Sequence, residues 1–72
     1  MNRIDDASKA GDRVLYVRLP EGPSEWDWKG TLTSGIMRTA GTPSFRLALV
    51  KFDHQEPEDE PRAEMASMLY KL

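Results

Sequence analysis

His54 is the chain's single histidine, and it lies in the stretch DHQEPEDEPRAE, residues 53–64, where six carboxylates crowd into twelve residues. An imidazole beside acids is the raw material of a metal site or of acid–base catalysis. A metal site needs at least three ligands on a fixed scaffold, and one histidine beside loop carboxylates does not supply them. Ser24, Ser34, Ser44 and Ser67 are candidate nucleophiles only if a base is held within hydrogen-bond reach, and His54 sits where loop entropy opposes that. Gly30, Gly35 and Gly41 lack the strand, glycine loop and helix order of a phosphate cradle. Cysteine is absent, which removes thiol catalysis, thiolate metal sites and disulfides. The expectation is a non-enzymatic protein with no catalytic residue, no metal and no cofactor.

Binding chemistry is better represented. Arg13, Arg18, Lys29, Arg38, Arg46 and Lys51 interleave with Tyr16, Trp26, Trp28 and Phe45, and cations beside aromatic platforms are what single-strand nucleic-acid binders use. The net charge of −2 opposes that reading. Residues 1–52 carry +2 and residues 53–64 carry −5, so a tethered acidic block would repel phosphates, and direct nucleic-acid contact is not expected. Trp26 and Trp28 either fill the core, which so short a domain needs, or serve as interface anchors, because tryptophan, tyrosine and arginine dominate binding hot spots. The acidic run has two readings as well. It is a solvated loop that aids solubility, or it faces a basic surface on another protein and steers the encounter. The candidate protein-binding residues are Tyr16, Arg18, Trp26, Trp28 and Lys29 on the body, with Glu56, Glu58, Asp59 and Glu60 in the run.

The elements that must position these groups read as β-structure. At 72 residues the chain is one domain at most. Residues 1–10 are polar without a periodic apolar face and read as a flexible, disordered tail. The domain is expected over residues 11–72, with an acidic loop at 53–64. RVLYVRL, residues 13–19, is a strand closed by Pro20, and residues 20–25 have turn chemistry. A second strand runs from Trp26 to about Thr39, with a bulge or bend at Gly30 and Ser34-Gly35. FRLALVKF, residues 45–52, is apolar on both faces and belongs in the centre of the sheet. For residues 62–72 two readings stay open: an amphipathic helix behind Pro61, or a single helical turn over residues 63–67 followed by a closing strand with Met68, Tyr70 and Leu72 facing in. The expected core is Val14 or Leu15, Val17, Leu32, Ile36, Leu47, Leu49 and Val50. No apolar run approaches the roughly 18 residues that span a membrane, and the start lacks the apolar stretch of a signal peptide. A complete, soluble, cytoplasmic and monomeric protein is the expectation.

GDRV at the head of one strand, a Pro/Gly-rich loop, WKG at the head of the next, a hairpin and a helical turn before the last strand resemble the SH3-like small β-barrel over residues 11–72. The resemblance implies an all-β, five-stranded barrel with a short C-terminal helical turn. It leaves open an SH3-like peptide-binding adaptor, a nucleic-acid-binding barrel, or a barrel-type dihydrofolate reductase. The reductases share the GDRV and W-x-G strands, but their V-Q-I-Y type stretch has no counterpart here. GDRVLYVRLP, EWDWKG, RLALVKFD and MASMLYKL, in a small cysteine-free chain with an acidic segment, also resemble small phage-encoded regulators that bind host RNA polymerase. That resemblance implies an inhibitor of bacterial transcription that blocks or displaces a partner such as the sigma factor.

Overall fold

The computed structural model describes residues 2–18 and 27–72. Among the described residues six strands form one antiparallel sheet curled into a half-barrel: β1 (Arg13–Tyr16), β2 (Trp28–Leu32), β3 (Met37–Arg38), β4 (Arg46–Phe52), β5 (Arg62–Met65) and β6 (Leu69–Lys71). The strand order is β3-β4-β2-β1-β6, and β5 pairs with the other edge of β4. Among the described residues the helical geometry is confined to one 3-10 turn, Ala66–Met68, between β5 and β6. An amphipathic C-terminal helix is therefore not formed.

β4 is the centre of the sheet, as its two apolar faces require. Its C-terminal half pairs with β2 (Gly30 opposite Phe52, Leu32 opposite Val50) and its N-terminal half with β3 (Met37 opposite Leu47). β2 and β3 thus follow one edge of β4, interrupted at residues 33–36. There the Ser34 hydroxyl accepts the Leu49 N–H at 3.0 Å, and the Thr33 N–H is donated to the Leu49 carbonyl at 2.8 Å. The single long second strand expected from the sequence is two short ones because side chain and backbone groups of Thr33 and Ser34 take over the ladder at the bend.

Alternation along β4 sends Ala48, Val50 and Phe52 inward, where each is at most 1% exposed. They meet Val14, Leu32, Ala66, Leu69 and Ile4 in the core. Val14, Leu15, Val17, Leu32 and Val50 are buried as expected and Ile36 packs against the cluster, but Leu47 and Leu49 lie on the other face of β4 and are only half-buried. The sequence shows both faces of this strand as apolar; the pairing decides which one is inner. Gly30 is required by close approach, since a Cβ there would lie 2.9 Å from the Lys51 carbonyl oxygen and 3.2 Å from the Phe52 Cα. Gly41, in the turn before β4, has φ 97°, which an L side chain rarely adopts.

Two corrections concern the chain ends. Residues 2–10 do not hang free: the Ile4 N–H is donated to the Leu69 carbonyl, the Lys71 N–H to the Asn2 carbonyl, and the Ile4 side chain is 5% exposed within the core. One apolar residue is enough to dock a segment whose backbone also extends the β6 edge, and no periodic face is needed for that. Ile4→Ala is accordingly expected to cost about 2 kcal/mol or more, read as a lower midpoint in denaturant unfolding; an unchanged midpoint would mean the segment contributes nothing. At the other end the expected helical turn and closing strand both form, but the turn falls at residues 66–68. Ala63 to Met65 belong to β5, and the inward residue of β6 is Leu69, fully buried, while Leu72 is 58% exposed. A turn placed later in the chain shifts a period-2 strand by one residue and turns its faces over.

Candidate functional site

Three strand ends bring aromatic rings together at one end of the half-barrel. Tyr16 closes β1 and lies directly opposite Trp28, which opens β2. The register that sets Gly30 opposite Phe52 places His54 beyond Phe52, opposite Trp28. The centroid of Trp28 is 6.1 Å from Tyr16, 5.4 Å from Phe52 and 4.5 Å from His54. Phe52 and Tyr16 meet edge-on at 5.7 Å, and Phe52 stacks with His54 at 5.6 Å. These spacings are those at which aromatic pairs attract beyond simple burial.

Two guanidinium groups face the same ring. Arg18, just after β1, lies 4.5 Å from the Trp28 centroid, and Arg62 of β5 lies 5.9 Å from it. Arg62 arrives there because it opens β5 opposite Val50, on the same face as Trp28. Trp28 and Tyr16 remain half-buried, not sealed in. Burial pushes the Tyr16 phenol above its ordinary range, and the Glu64 carboxylate pushes in the same direction. The phenol therefore stays neutral, a donor aimed along the face towards the Met68 sulfur at 3.9 Å.

The acidic run starts at this cluster and is an ordered connection between β4 and β5. Gln55 organises it: its Oε1 accepts the Phe52 N–H at 2.8 Å, and its Nε2 donates to the Glu60 carbonyl at 3.0 Å. Glu56 and Asp59 exchange two bonds, the Glu56 N–H to Asp59 Oδ2 at 3.1 Å and the Asp59 N–H to the Glu56 carbonyl at 3.0 Å. The Lys51 ammonium reaches over from β4 to donate to the carbonyls of both Glu56 and Asp59. Backbone groups that a solvated, disordered loop would leave to water are satisfied inside the loop. The run also ends early, since Arg62 to Glu64 are part of β5.

Its carboxylates divide by task. Asp53 is a clasp, bound in bidentate fashion by Arg13 at 2.7 and 2.6 Å, and Asp59 holds the loop. Glu56, Glu58 and Glu60 are exposed, and among the described residues no cation pairs with them. Lys29 is not part of the aromatic face. It points to the opposite side of β2 from Trp28, towards Asp53. Trp26 and the residue 20–25 turn lie outside the described residues. Of the sequence candidates, Tyr16, Arg18, Trp28, Glu56, Glu58, Asp59 and Glu60 are gathered at one end. Phe52, His54 and Arg62 join them unannounced; the signal available was the register across Gly30 that carries the chain from Phe52 to His54.

Two exposed ion pairs contribute modestly to acid stability. The Arg13 guanidinium holds the Asp53 carboxyl below its ordinary range, and the Lys71 ammonium, 2.7 Å away, does the same to Asp5. A carboxyl whose pKa is lower in the fold than in the unfolded chain favours the fold above its unfolded value. That support disappears as pH falls through the folded value. The thermal midpoint is expected to be flat near neutrality and to fall below about pH 4, with Asp53→Asn and Asp5→Asn each flattening the acid limb; a wild-type acid limb retained in the double variant would assign it elsewhere.

Among the described residues no group of three or more His, Asp or Glu is placed to hold a metal ion. No helix there is long and apolar enough to cross a membrane. The chain matches none of the protein-family models, curated proteins or solved structures with which it was compared.

Proposed function

We propose that the protein is a non-enzymatic, protein-binding regulator that docks a basic, aromatic- or proline-containing segment of its partner at the Trp28 end of the half-barrel. The observation that carries this is the juxtaposition of a half-buried Trp28, ringed by Tyr16, Phe52, His54, Arg18 and Arg62, with the exposed Glu56, Glu58 and Glu60 of the adjoining loop. Aromatic and arginine anchors supply contact area at low entropic cost, while three unpaired carboxylates on an ordered loop supply charge complementarity for basic groups. An SH3-like barrel is the reading of the fold that suits this role: β2 and β3 taken as one bent strand give five, with the 3-10 turn before the last.

The partner class is a nucleic-acid-handling machine, whose basic surfaces are built for phosphate and are open to an acidic competitor. Bacterial RNA polymerase is the first partner to test, with the protein acting as a phage-encoded inhibitor that excludes a factor such as sigma. The test uses purified polymerase core and sigma factor. The expected results are a complex with core that loses sigma as the small protein is added, and reduced promoter-dependent transcription. Retention of sigma and full transcription at saturating protein would reject this partner.

A further inference from the structure

The opposite end of β4 carries a second arrangement, independent of the proposed docking face. A cleft of about 360 Å³ lies among the N-terminal segment, β3, the start of β4 and the 3-10 turn, lined by Arg3, Arg38, Arg46, Ser44, Phe45 and Ser67. Three arginines and two serines thus border, together with the buried Ile4 and Ala66, a space at the small end of the range for ligand pockets.

Arg3, Phe45 and Arg46 are held in place. The Arg3 Nε donates to the Tyr70 hydroxyl at 3.3 Å and its guanidinium lies 5.7 Å from that ring, so the side chain is oriented before any ligand arrives. Ser44 and Phe45 are fixed by a closed loop: Thr39 donates its N–H to the Phe45 carbonyl and accepts the Phe45 N–H on its hydroxyl. Arg46 donates to Asp6 through one terminal nitrogen at 2.9 Å, while its Nε is buried without an acceptor. Arg38 forms no ion pair among the described residues. Phe45 stands 47% exposed and lines the same cleft, a flat apolar ring open to solvent.

We infer that this cleft binds a nucleotide, with the phosphate held between Arg38 and Arg46, the hydroxyls of Ser44 and Ser67 completing its hydrogen bonds, and the base stacked on Phe45. Arginine's planar fork suits phosphate oxygens, and an aromatic ring accepts any base. The overall acidity of the chain does not oppose this. The acidic loop follows the far end of the seven-residue β4, about 20 Å away at the rise of an extended strand, which is more than two screening lengths at physiological salt. Asp6 is the local competitor, occupying the terminal nitrogen of Arg46 that a phosphate would take. The same chemistry serves a free mononucleotide or a nucleotide within a single strand.

Calorimetric titration of the full chain at physiological salt with AMP, ribose 5-phosphate, inorganic phosphate and a single-stranded oligothymidylate separates these sources. AMP is expected to bind more tightly than ribose 5-phosphate or phosphate. Arg38→Ala, on a two-residue exposed strand where the fold does not depend on it, should weaken AMP about tenfold, the loss expected for a charge-assisted phosphate contact. Phe45→Ala should bring AMP down to the level of ribose 5-phosphate, and Asp6→Asn should strengthen binding, which a merely structural salt bridge would not do. If the oligonucleotide binds more tightly than AMP, with a salt slope lowered by about 1 in Arg38→Ala, the ligand is a strand; tighter AMP makes it a free nucleotide. Either result supports the site. Binding of none of the four probes, phosphate bound as tightly as AMP, or Arg38→Ala and Phe45→Ala variants indistinguishable from wild type would overturn the assignment.

Discussion

Phe52→Ala is expected to unfold the domain or bring it to the edge of unfolding. Phe52 is 1% exposed and is the largest of the fully buried side chains. It touches both halves of the molecule's organisation, since it packs in the core with Val14, Val50 and Leu69 and meets the rings of Tyr16, Trp28 and His54. Its truncation loses about 3–5 kcal/mol, against a total stability of about 4–11 kcal/mol for a chain of this length. The check is denaturant unfolding followed by tryptophan fluorescence in a Trp26→Phe background, so that Trp28 is the one tryptophan left to report its environment together with global melting. A variant with a wild-type midpoint would show that the core lies elsewhere. Phe52→Leu, which keeps most of the volume and removes the ring contacts, separates the two roles: it should retain cooperative unfolding while altering the emission of Trp28.

Gly30→Val has a comparable effect for a different reason. The residue opposite Gly30 is Phe52, and a Cβ on Gly30 would stand 2.7 Å from a Val50 methyl, 2.9 Å from the Lys51 carbonyl oxygen and 3.2 Å from the Phe52 Cα. The side chain of Val50 has nowhere to move, because Val50 is fully buried, and the other two atoms are backbone. β2 and β4 must then separate, at a cost of about 3 kcal/mol, and the strand pairing that sets His54 opposite Trp28 loosens with them. Amide exchange provides the measurement: the Thr33 and Asp53 N–H groups, which bond between the β2 and β4 sides to the Leu49 and Lys29 carbonyls, should lose protection in the variant. Full protection in a soluble, folded Gly30→Val protein would contradict the close approach.

These two residues also mark how far the sequence could be read. The strands β1 and β4 were legible because β-branched and aromatic residues alternate there between turn signals, and the bend after Leu32 was legible in Ser34-Gly35. The inner face of β4 was not, because Leu47, Leu49, Ala48 and Val50 make both faces apolar, and only pairing with β2 and β5 chooses between them. The docking of residues 2–10 rests on Ile4, a single apolar residue that carries no periodicity. The C-terminal strand was legible in kind but displaced by one residue, since periodicity alone cannot tell whether Ala63 to Met65 continue the sheet or begin the 3-10 turn.

For the candidate site, the pairing of Tyr16, Arg18 and Trp28 on one face follows from period-2 reasoning about two adjacent strands. The same reasoning places Lys29 on the other face of β2. His54 and Arg62 enter through the hairpin: a nine-residue connection between β4 and β5 returns the chain to the same ring. Its order depends on Lys51 and Gln55 reaching across to backbone carbonyls, contacts that composition does not encode. The acidic run reads as a solvated block by charge; in the fold, two of its six carboxylates, Asp53 and Asp59, have structural tasks, and Glu64 sits in β5.

The docking proposal is tested most directly by the association and dissociation kinetics of purified RNA polymerase core with three immobilised proteins: wild type, Trp28→Ala, and the triple variant Glu56→Gln/Glu58→Gln/Glu60→Gln. If the Trp28 end is the docking face, Trp28→Ala should weaken binding on the order of 30-fold, the loss typical of a hot-spot anchor, mainly through faster dissociation. The triple variant should associate more slowly and lose much of the salt dependence of its association rate, with dissociation nearly unchanged. Circular dichroism confirms that each variant is folded. Wild-type rates in both variants, with the wild-type salt dependence retained, would contradict a docking face at this end of the half-barrel.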